Sequence, residues 1–190
     1  MRVLVCGGTG LVGSNILKKL LESGYTDVHA TFFSRKPFEI GIVNWHGVDL
    51  RKQNETKNLF ESVKPDHVYI ASFKVGGILA NSTYPAEFIY DNLAIILNII
   101  YYSYKSNVKK LLNLASSCIY PRNSLQPIKE SYLLTGPLEP TNEPYAISKI
   151  AGIKLVRYYN EQYGTNYITL MPSNIYGPGD DFCFETSHVL

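Results

Sequence analysis

Two side chains that can move protons stand one helical turn apart in this sequence. Tyr145 and Lys149 form a Tyr-x-x-x-Lys spacing in a stretch with helical periodicity, so both side chains lie on one face. A nearby ammonium favours the phenolate and lowers the pKa of the tyrosine, which suits proton exchange with a ketone or an alcohol. Because such pairs also occur by chance on many helices, this interpretation depends on the elements that surround the pair.

Polar residues directly follow the strand predicted one crossover earlier, over residues 110–115. They are Ser116, Ser117 and Cys118. Ligands of open α/β sheets bind at the carboxyl ends of the strands. Ser116 or Ser117 is therefore placed to bond a substrate oxygen beside Tyr145, as hydride-transfer chemistry requires. The serines could equally cap a turn, and Cys118 could be a small buried residue.

A glycine-rich turn near the start of the chain, Gly-Gly-Thr-Gly-Leu-Val-Gly at residues 7–13, follows a strand and opens a helix. Glycines without a Cβ allow such a turn to approach a pyrophosphate. The helix N-terminus presents N–H groups to the phosphates. A tight turn between a strand and a helix that binds no ligand would show the same glycine pattern. We expect the cofactor to lie against Gly7, Gly10, Leu11, Val12 and Gly13.

The residues after the second strand indicate which dinucleotide is bound. NAD-binding versions of the fold usually carry an acid there for the ribose 2′-hydroxyl, whereas this chain has Ser34, Arg35 and Lys36. These side chains could pair with a 2′-phosphate, which favours NADP(H), or they could be solvated loop residues. Asp49 and Leu50, after the third strand, could contact the adenine, although a plain surface aspartate would look much the same.

These residues depend on alternating strands and helices. Apolar patterning predicts strands over residues 2–6, 28–33, 45–48, 67–71, 110–115 and 167–171. It predicts helices over residues 11–23, 56–63, 86–105 and 144–163. Such alternation is typical of an α/β fold in which helices cover both faces of a parallel sheet. We therefore predict a Rossmann-type, doubly wound, three-layer (α/β/α) domain.

Composition excludes several functional classes. The 190 residues are 45% hydrophobic and carry a net charge of +2, so neither global disorder nor nucleic-acid binding is expected. The longest apolar stretch, near residues 93–102, is too short to span a bilayer, and no secretory signal is evident. Three cysteines make no disulfide framework. We expect a cytoplasmic protein without a metal site.

Longer motifs resemble the GDP-L-fucose synthase family of extended short-chain dehydrogenases/reductases. The most specific are Ser-Ser-Cys-Ile-Tyr-Pro at 116–121 and Glu-Pro-Thr-Asn-Glu-Pro-Tyr-Ala at 139–146. Further matching stretches are 74–78, 81–90, 126–130, 171–178 and 187–190. The resemblance implies 3,5-epimerisation of GDP-4-keto-6-deoxy-D-mannose, followed by NADPH-dependent reduction of its 4-ketone to give GDP-L-fucose.

The resemblance also assigns a role to each matching residue. Ser116 matches the catalytic serine, Tyr145 the proton donor and Lys149 its partner. Cys118 matches the base that removes protons beside the ketone, and His188 the acid that returns one on the opposite face. Ala71, Pro172 and Asn174 complete the expected cofactor contacts. The expected substrate contacts are Lys74, Val75, Gly76, Gly77, Ser116 and Asn174.

By the same resemblance, residues 1–172 form the NADP(H)-binding domain, and residues 173–190 begin a substrate-binding part that is mostly missing. Helices 86–105 and 144–163 are expected to form a homodimer interface, unless both pack wholly on their own sheet. Two alternatives stay open. One is another nucleotide-sugar epimerase, reductase or dehydratase, and the other is a truncated, non-catalytic NADP-binding module.

Overall fold

A computed structural model describes residues 1–180 as a single parallel sheet covered by helices. The strands are β1 (Val3–Cys6), β2 (Val28–Phe32), β3 (Asn44–Gly47), β4 (His67–Ile70), β5 (Lys110–Leu114) and β6 (Tyr167–Leu170). The helices are α1 (Leu11–Glu22), α2 (Gln53–Val63), α3 (Ile78–Thr83), α4 (Pro85–Lys105) and α5 (Glu143–Tyr163). All strand pairs are parallel, which confirms the predicted doubly wound class.

The strand order is β3-β2-β1-β4-β5-β6. The chain builds outward from β1 in one direction through β2 and β3, and in the other through β4, β5 and β6. A crevice opens where the two directions diverge, above the carboxyl ends of β1 and β4, and ligands of this architecture bind there. The topology therefore places the glycine turn after β1 and the polar residues after β5 at the same edge of the sheet.

The centre of the sheet is buried on both faces, as the short continuous apolar run at β1 predicted. All four residues of β1 are 0% exposed. Leu4 packs in a cluster with Phe60 and Ile96, while Val5 packs with Leu17 on the opposite face. The two clusters hold the ends of the strands in fixed positions, so the loops that carry the site start from a rigid base.

Two elements differ from the sequence prediction. Helix α2 begins at Gln53 rather than at residue 56, and the short helix α3 was not predicted. Six residues are too few to show a helical period. A side chain within α3 itself helps to hold the helix, since the Asn81 amide donates to the carbonyls of Gly76 and Gly77 just before it.

Residues 171–180 contain no helix or strand, so the described part of the expected second region has no regular element. Within residues 1–180, every helix is too short or too polar to cross a membrane.

Candidate active site

The glycine turn leaves room for a ligand on one side only. Gly7 has a φ of +87°, in the region that favours glycine. A Cβ on Gly13 would lie 2.0 Å from the Gly7 carbonyl oxygen, so this glycine allows helix α1 to pack against the turn. A Cβ on Gly10 would meet only that oxygen, at 3.5 Å. The backbone at Gly10 is therefore open to the crevice, as close approach of a pyrophosphate requires.

The first of two adjoining cavities, here called the cofactor cleft, has a volume of about 600 Å³ and lies over the ends of β1 to β4. Most residues predicted to bind the cofactor line it. They are Gly7, Gly10, Leu11, Ser34, Arg35, Asp49, Leu50 and Ala71. Of the remaining predicted contacts, Val12 lines the second cavity. Lys36 is exposed and is not among the described residues that line either cavity.

Arg35 lies closer to the phosphate turn than its sequence position shows. Its guanidinium donates to the Thr9 carbonyl at 3.4 Å, and the residue is exposed at the rim of the cofactor cleft. This contact places a positive charge beside the glycine turn. The arrangement fits a ligand that carries phosphate on the ribose next to that turn.

The sequence identified Asp49 and Lys74 as site residues but not the chain of charges that connects them in the wall of the cofactor cleft. Arg51 donates two hydrogen bonds to Asp49, at 2.8 and 2.9 Å, and a third to Asp91 at 3.2 Å. Lys74 also contacts Asp91, at 3.5 Å, and pairs with Glu87. The Arg51 guanidinium lowers the pKa of Asp49. Arg51 follows Asp49 by two residues, so the sequence could have predicted that it lies near the cleft. Its pairing with Asp91 on α4 could not be predicted from the sequence.

The second cavity, here called the catalytic pocket, has a volume of about 500 Å³. It brings together side chains that are far apart in the sequence. Ser116, Ser117 and Cys118 enter from the end of β5, Tyr145 and Lys149 from α5, and Pro172 and Asn174 from the segment after β6. Val75, Gly76 and Gly77 form the wall after β4. Lys74, which was predicted to bind substrate, lines the adjoining cofactor cleft.

The Lys149 side chain is buried at the floor of the catalytic pocket. Only 2% of the residue is exposed, and its ammonium donates to the Leu114 carbonyl at 2.8 Å. It lies 2.9 Å from the centre of the Phe73 ring and 5.3 Å from that of Tyr145. Burial lowers the pKa of Lys149 well below its usual value, and the charge on Cys118 partly opposes this effect.

The pKa of Tyr145 is shifted in the direction opposite to the prediction. Burial raises the pKa of this phenol, and the charge on Cys118 raises it further. The expected lowering by Lys149 is wrong for the described chain, because desolvation of the phenolate is the largest cause of the shift and Lys149 does not offset it. Tyr145 is therefore a protonated phenol at neutral pH, which suits a proton donor better than a base.

Cys118 sits in a short 3₁₀ turn, Ser117–Ile119, that Ser116 caps. The backbone N–H of Cys118 donates to the Ser116 hydroxyl oxygen at 3.5 Å. Burial raises the pKa of the Cys118 thiol, although the Ser116 hydroxyl and the Lys149 charge act in the opposite direction. Ser117 is exposed. The structure thus distinguishes the two serines that local sequence left equivalent, since it is Ser116 that bonds Cys118.

Two buried amides hold the wall after β4. The Asn92 side chain exchanges two hydrogen bonds with the Lys74 backbone, at 2.7 and 3.0 Å. Asn81 donates to the carbonyls of Gly76 and Gly77, at 2.7 and 3.0 Å. Asn81 also lines the catalytic pocket, and neither amide was predicted as a site residue. Asn81 opens the matching stretch 81–90, but residue type and spacing assigned no role to either amide.

His188 lies outside the described residues, so the structure does not locate the predicted second acid. Among residues 1–180, no group of three or more His, Cys, Asp or Glu side chains is arranged to hold a metal ion.

Comparison with known proteins gives consistent matches. The family described as the NAD dependent epimerase/dehydratase family matches residues 3–190. A GDP-L-fucose synthase of Escherichia coli is 49% identical over 189 residues, which is 100% of this chain and 55% of that protein. The chain thus spans about half the length of this relative.

Solved structures agree with the fold and the family. A GDP-D-glycero-L-gluco-heptose synthase from Campylobacter jejuni, determined in the presence of NADPH, superposes with a TM-score of 0.85 at 33% identity. The match covers 98% of this chain and 51% of that protein. A GDP-L-fucose synthetase from Naegleria fowleri bound to NADP has a TM-score of 0.81 at 29% identity. The match covers 99% of this chain and 54% of that protein.

Proposed function

Since the chain belongs to the NAD-dependent epimerase/dehydratase family, we propose that it forms the cofactor-binding and catalytic part of a GDP-sugar epimerase-reductase. The substrate is GDP-4-keto-6-deoxy-D-mannose and the product GDP-L-fucose. The observation that carries this proposal is the convergence of Ser116, Cys118, Tyr145 and Lys149 on one pocket beside the glycine turn. These four groups can stabilise an enolate and move protons on and off a keto sugar.

NADP(H) is the proposed cofactor. The open backbone at Gly10 fits a pyrophosphate, and Ser34 and Arg35 at the cleft rim fit a 2′-phosphate. The related structures determined in the presence of NADPH or bound to NADP support the same choice. When bound, the nicotinamide supplies the hydride for reduction. Lys149, fixed on the Leu114 carbonyl, would bond the ribose of that ring.

The pocket residues divide the chemistry between two steps. In epimerisation, the thiolate form of Cys118, which the Lys149 charge favours against the effect of burial, takes a proton from the carbon beside the ketone and becomes a thiol. The hydroxyls of Ser116 and Tyr145 bond the enolate oxygen. His188 donates its own proton to that carbon from the other face. In reduction, Tyr145 donates its proton to the C4 oxygen, and its raised pKa keeps the phenol protonated for this role.

The test uses the protein from its whole reading frame, including whatever follows Leu190. Supplied with NADPH and GDP-4-keto-6-deoxy-D-mannose, it should consume NADPH and form GDP-L-fucose. Ser116→Ala should reduce turnover by about 100-fold or more, whereas the neighbouring Ser117→Ala serves as the matched control and should retain it. Absence of GDP-L-fucose with the unaltered protein would refute the proposal, and a different accepted keto sugar would favour another epimerase-reductase. A protein that binds NADPH but reduces no keto sugar would favour the non-catalytic module.

The same protein is proposed to be a cytoplasmic homodimer joined through α4 and α5. The outer surfaces of these helices expose large apolar side chains, including Leu97 at 48% and Tyr158 at 53%. A second copy would cover them. Leu97→Glu should convert the dimer to a monomer in sedimentation velocity. Ile42→Glu, at an 81% exposed position in another part of the chain, should leave the dimer intact, and a monomeric unaltered protein would contradict the interface.

A further inference from the structure

Phe33 and Arg51 present flat side chains to the cofactor cleft, and no role described above uses them. We propose that the Phe33 ring and the Arg51 guanidinium form the stacking surface for the adenine base of the dinucleotide. This inference rests on the proposed function, since it assumes that the cleft binds NADP(H). It assigns base recognition to two residues that neither the glycine turn nor the catalytic motif contains.

The topology brings the two side chains to the same place. Phe33 follows the last residue of β2, and Arg51 follows β3 by a few residues. These strands are paired, with Phe32 opposite Gly47 at their carboxyl ends. Both Phe33 and Arg51 line the cofactor cleft, and the guanidinium carbon lies 5.0 Å from the centre of the Phe33 ring.

Phe33 is more exposed than its neighbour Phe32 at the end of β2. Phe33 is 63% exposed, whereas the ring of its neighbour Phe32 packs edge-on against Trp45, 6.4 Å between centres. A solvated aromatic ring at the wall of a cleft gains favourable contact area when a planar ligand covers it. Every nucleobase has such a planar face.

Arg51 is held through its edges, with its guanidinium carbon over the Phe33 ring. Its N–H donors lie in the plane of the guanidinium, and they are directed to Asp49 and Asp91. The carboxylates therefore occupy the edges of the group and leave the side turned away from Phe33 for stacking. They also neutralise its charge, so Arg51 is a poor phosphate ligand. That role falls to Arg35, which bonds the Thr9 carbonyl beside the phosphate turn.

The experiment compares two ligands that differ in the adenosine part. The protein from the whole reading frame is titrated with NADPH and with reduced nicotinamide mononucleotide, which has no adenine. Phe33→Ala should weaken NADPH binding by roughly 10- to 100-fold, the range for loss of one stacked base, and should leave binding of the mononucleotide unchanged. Phe33→Tyr, which keeps the ring, should restore the affinity for NADPH.

A matched control and a second variant complete the test. Phe38→Ala removes a ring that lies 5.9 Å from Trp45 and does not line the described cleft, and it should bind NADPH as the unaltered protein does. Arg51→Lys keeps the charge but loses the flat face, and it should weaken NADPH alone.

Two results with the Phe33 variant would overturn the inference. One is unchanged NADPH affinity in Phe33→Ala, and the other is an equal loss for both ligands. If the unaltered protein bound neither ligand, the proposed function would fail as well. These outcomes separate the failure of the stacking surface from the failure of the cofactor assignment.

Discussion

Gly10 and Gly13 stand three residues apart in the glycine turn, yet an added methyl group meets different surroundings at each. At Gly13 the new Cβ would lie 2.0 Å from the Gly7 oxygen, 2.8 Å from the Gly7 carbonyl carbon and 3.0 Å from the Gly8 Cα. All three are backbone atoms at the end of a strand whose residues are fully buried, so none can rotate away. At Gly10 the nearest atom is 3.5 Å away, which is an ordinary contact.

These distances predict opposite effects on stability. Overpacking usually costs about 1–3 kcal/mol, and contact with backbone places Gly13→Ala at the upper end of that range. The better helix propensity of alanine returns about 1 kcal/mol, which leaves a net loss of about 2 kcal/mol. For a domain of this size the loss lowers the melting temperature by roughly 4–8 °C. Gly10→Ala should change the stability by less than about 1 kcal/mol.

Cofactor binding should show a different pattern. Both variants should bind NADPH at least tenfold more weakly, since loss of charge-assisted hydrogen bonds to the pyrophosphate costs about 1.5–3 kcal/mol. In Gly10→Ala the methyl group occupies the space of the pyrophosphate, whereas in Gly13→Ala the turn itself is displaced. Circular dichroism melting and NADPH titration of the two variants measure both effects. An unchanged melting temperature for Gly13→Ala, or unchanged NADPH affinity for Gly10→Ala, would refute the reasoning.

Three further predictions follow from burial and charge. Tyr145→Phe removes only a hydroxyl, so we expect turnover to fall by roughly 10²- to 10⁴-fold with an unchanged melting temperature; retained turnover would exclude Tyr145 as the proton donor. Because burial raises the pKa of Cys118, alkylation of this thiol by iodoacetamide should be slow at neutral pH. It should accelerate only at a pH above the pKa range of a free thiol. The fully buried Cys6, whose pKa is raised to about 12, should react only on unfolding, and peptide mapping separates the two sites. Burial lowers the pKa of His46 and His67 below 6.5, so the unfolded chain binds protons that the folded chain does not. The free energy of unfolding should therefore decrease as the pH falls below about 6.5, and His46→Gln should make that decrease smaller. The same decrease in the variant as in the unaltered protein would contradict this prediction.

The sequence alone was sufficient for the features that depend on neighbours in the chain. Alternating apolar runs predicted all six strands to within two residues, and the spacing of glycines identified the phosphate turn at Gly7, Gly10 and Gly13. The Tyr145–Lys149 pair was visible because a helix repeats every few residues. Each of these patterns reflects a local rule of backbone geometry, so no knowledge of distant contacts was needed.

Other features depend on contacts between distant segments. The pairing of Arg51 with Asp91 joins residues 40 positions apart, and nothing in either segment indicates its partner. The short helix α3 and the Asn81 bonds to Gly76 and Gly77 could not be seen in so brief a stretch. Lys74 was assigned to the substrate from resemblance, and nothing near it in the chain indicated its pairing with Asp91 in the wall of the cofactor cleft.

The ionisation of the site shows most clearly what only the tertiary structure decided. Spacing on a helix placed Lys149 beside Tyr145 and so predicted a lowered tyrosine pKa. The fold surrounds both groups with the ends of β5 and the wall after β4, and it removes the water that would stabilise either charge. Burial therefore raises the pKa of Tyr145 and lowers that of Lys149. Spacing along a chain determines which groups are neighbours, whereas the energy of a charge depends on everything packed around it.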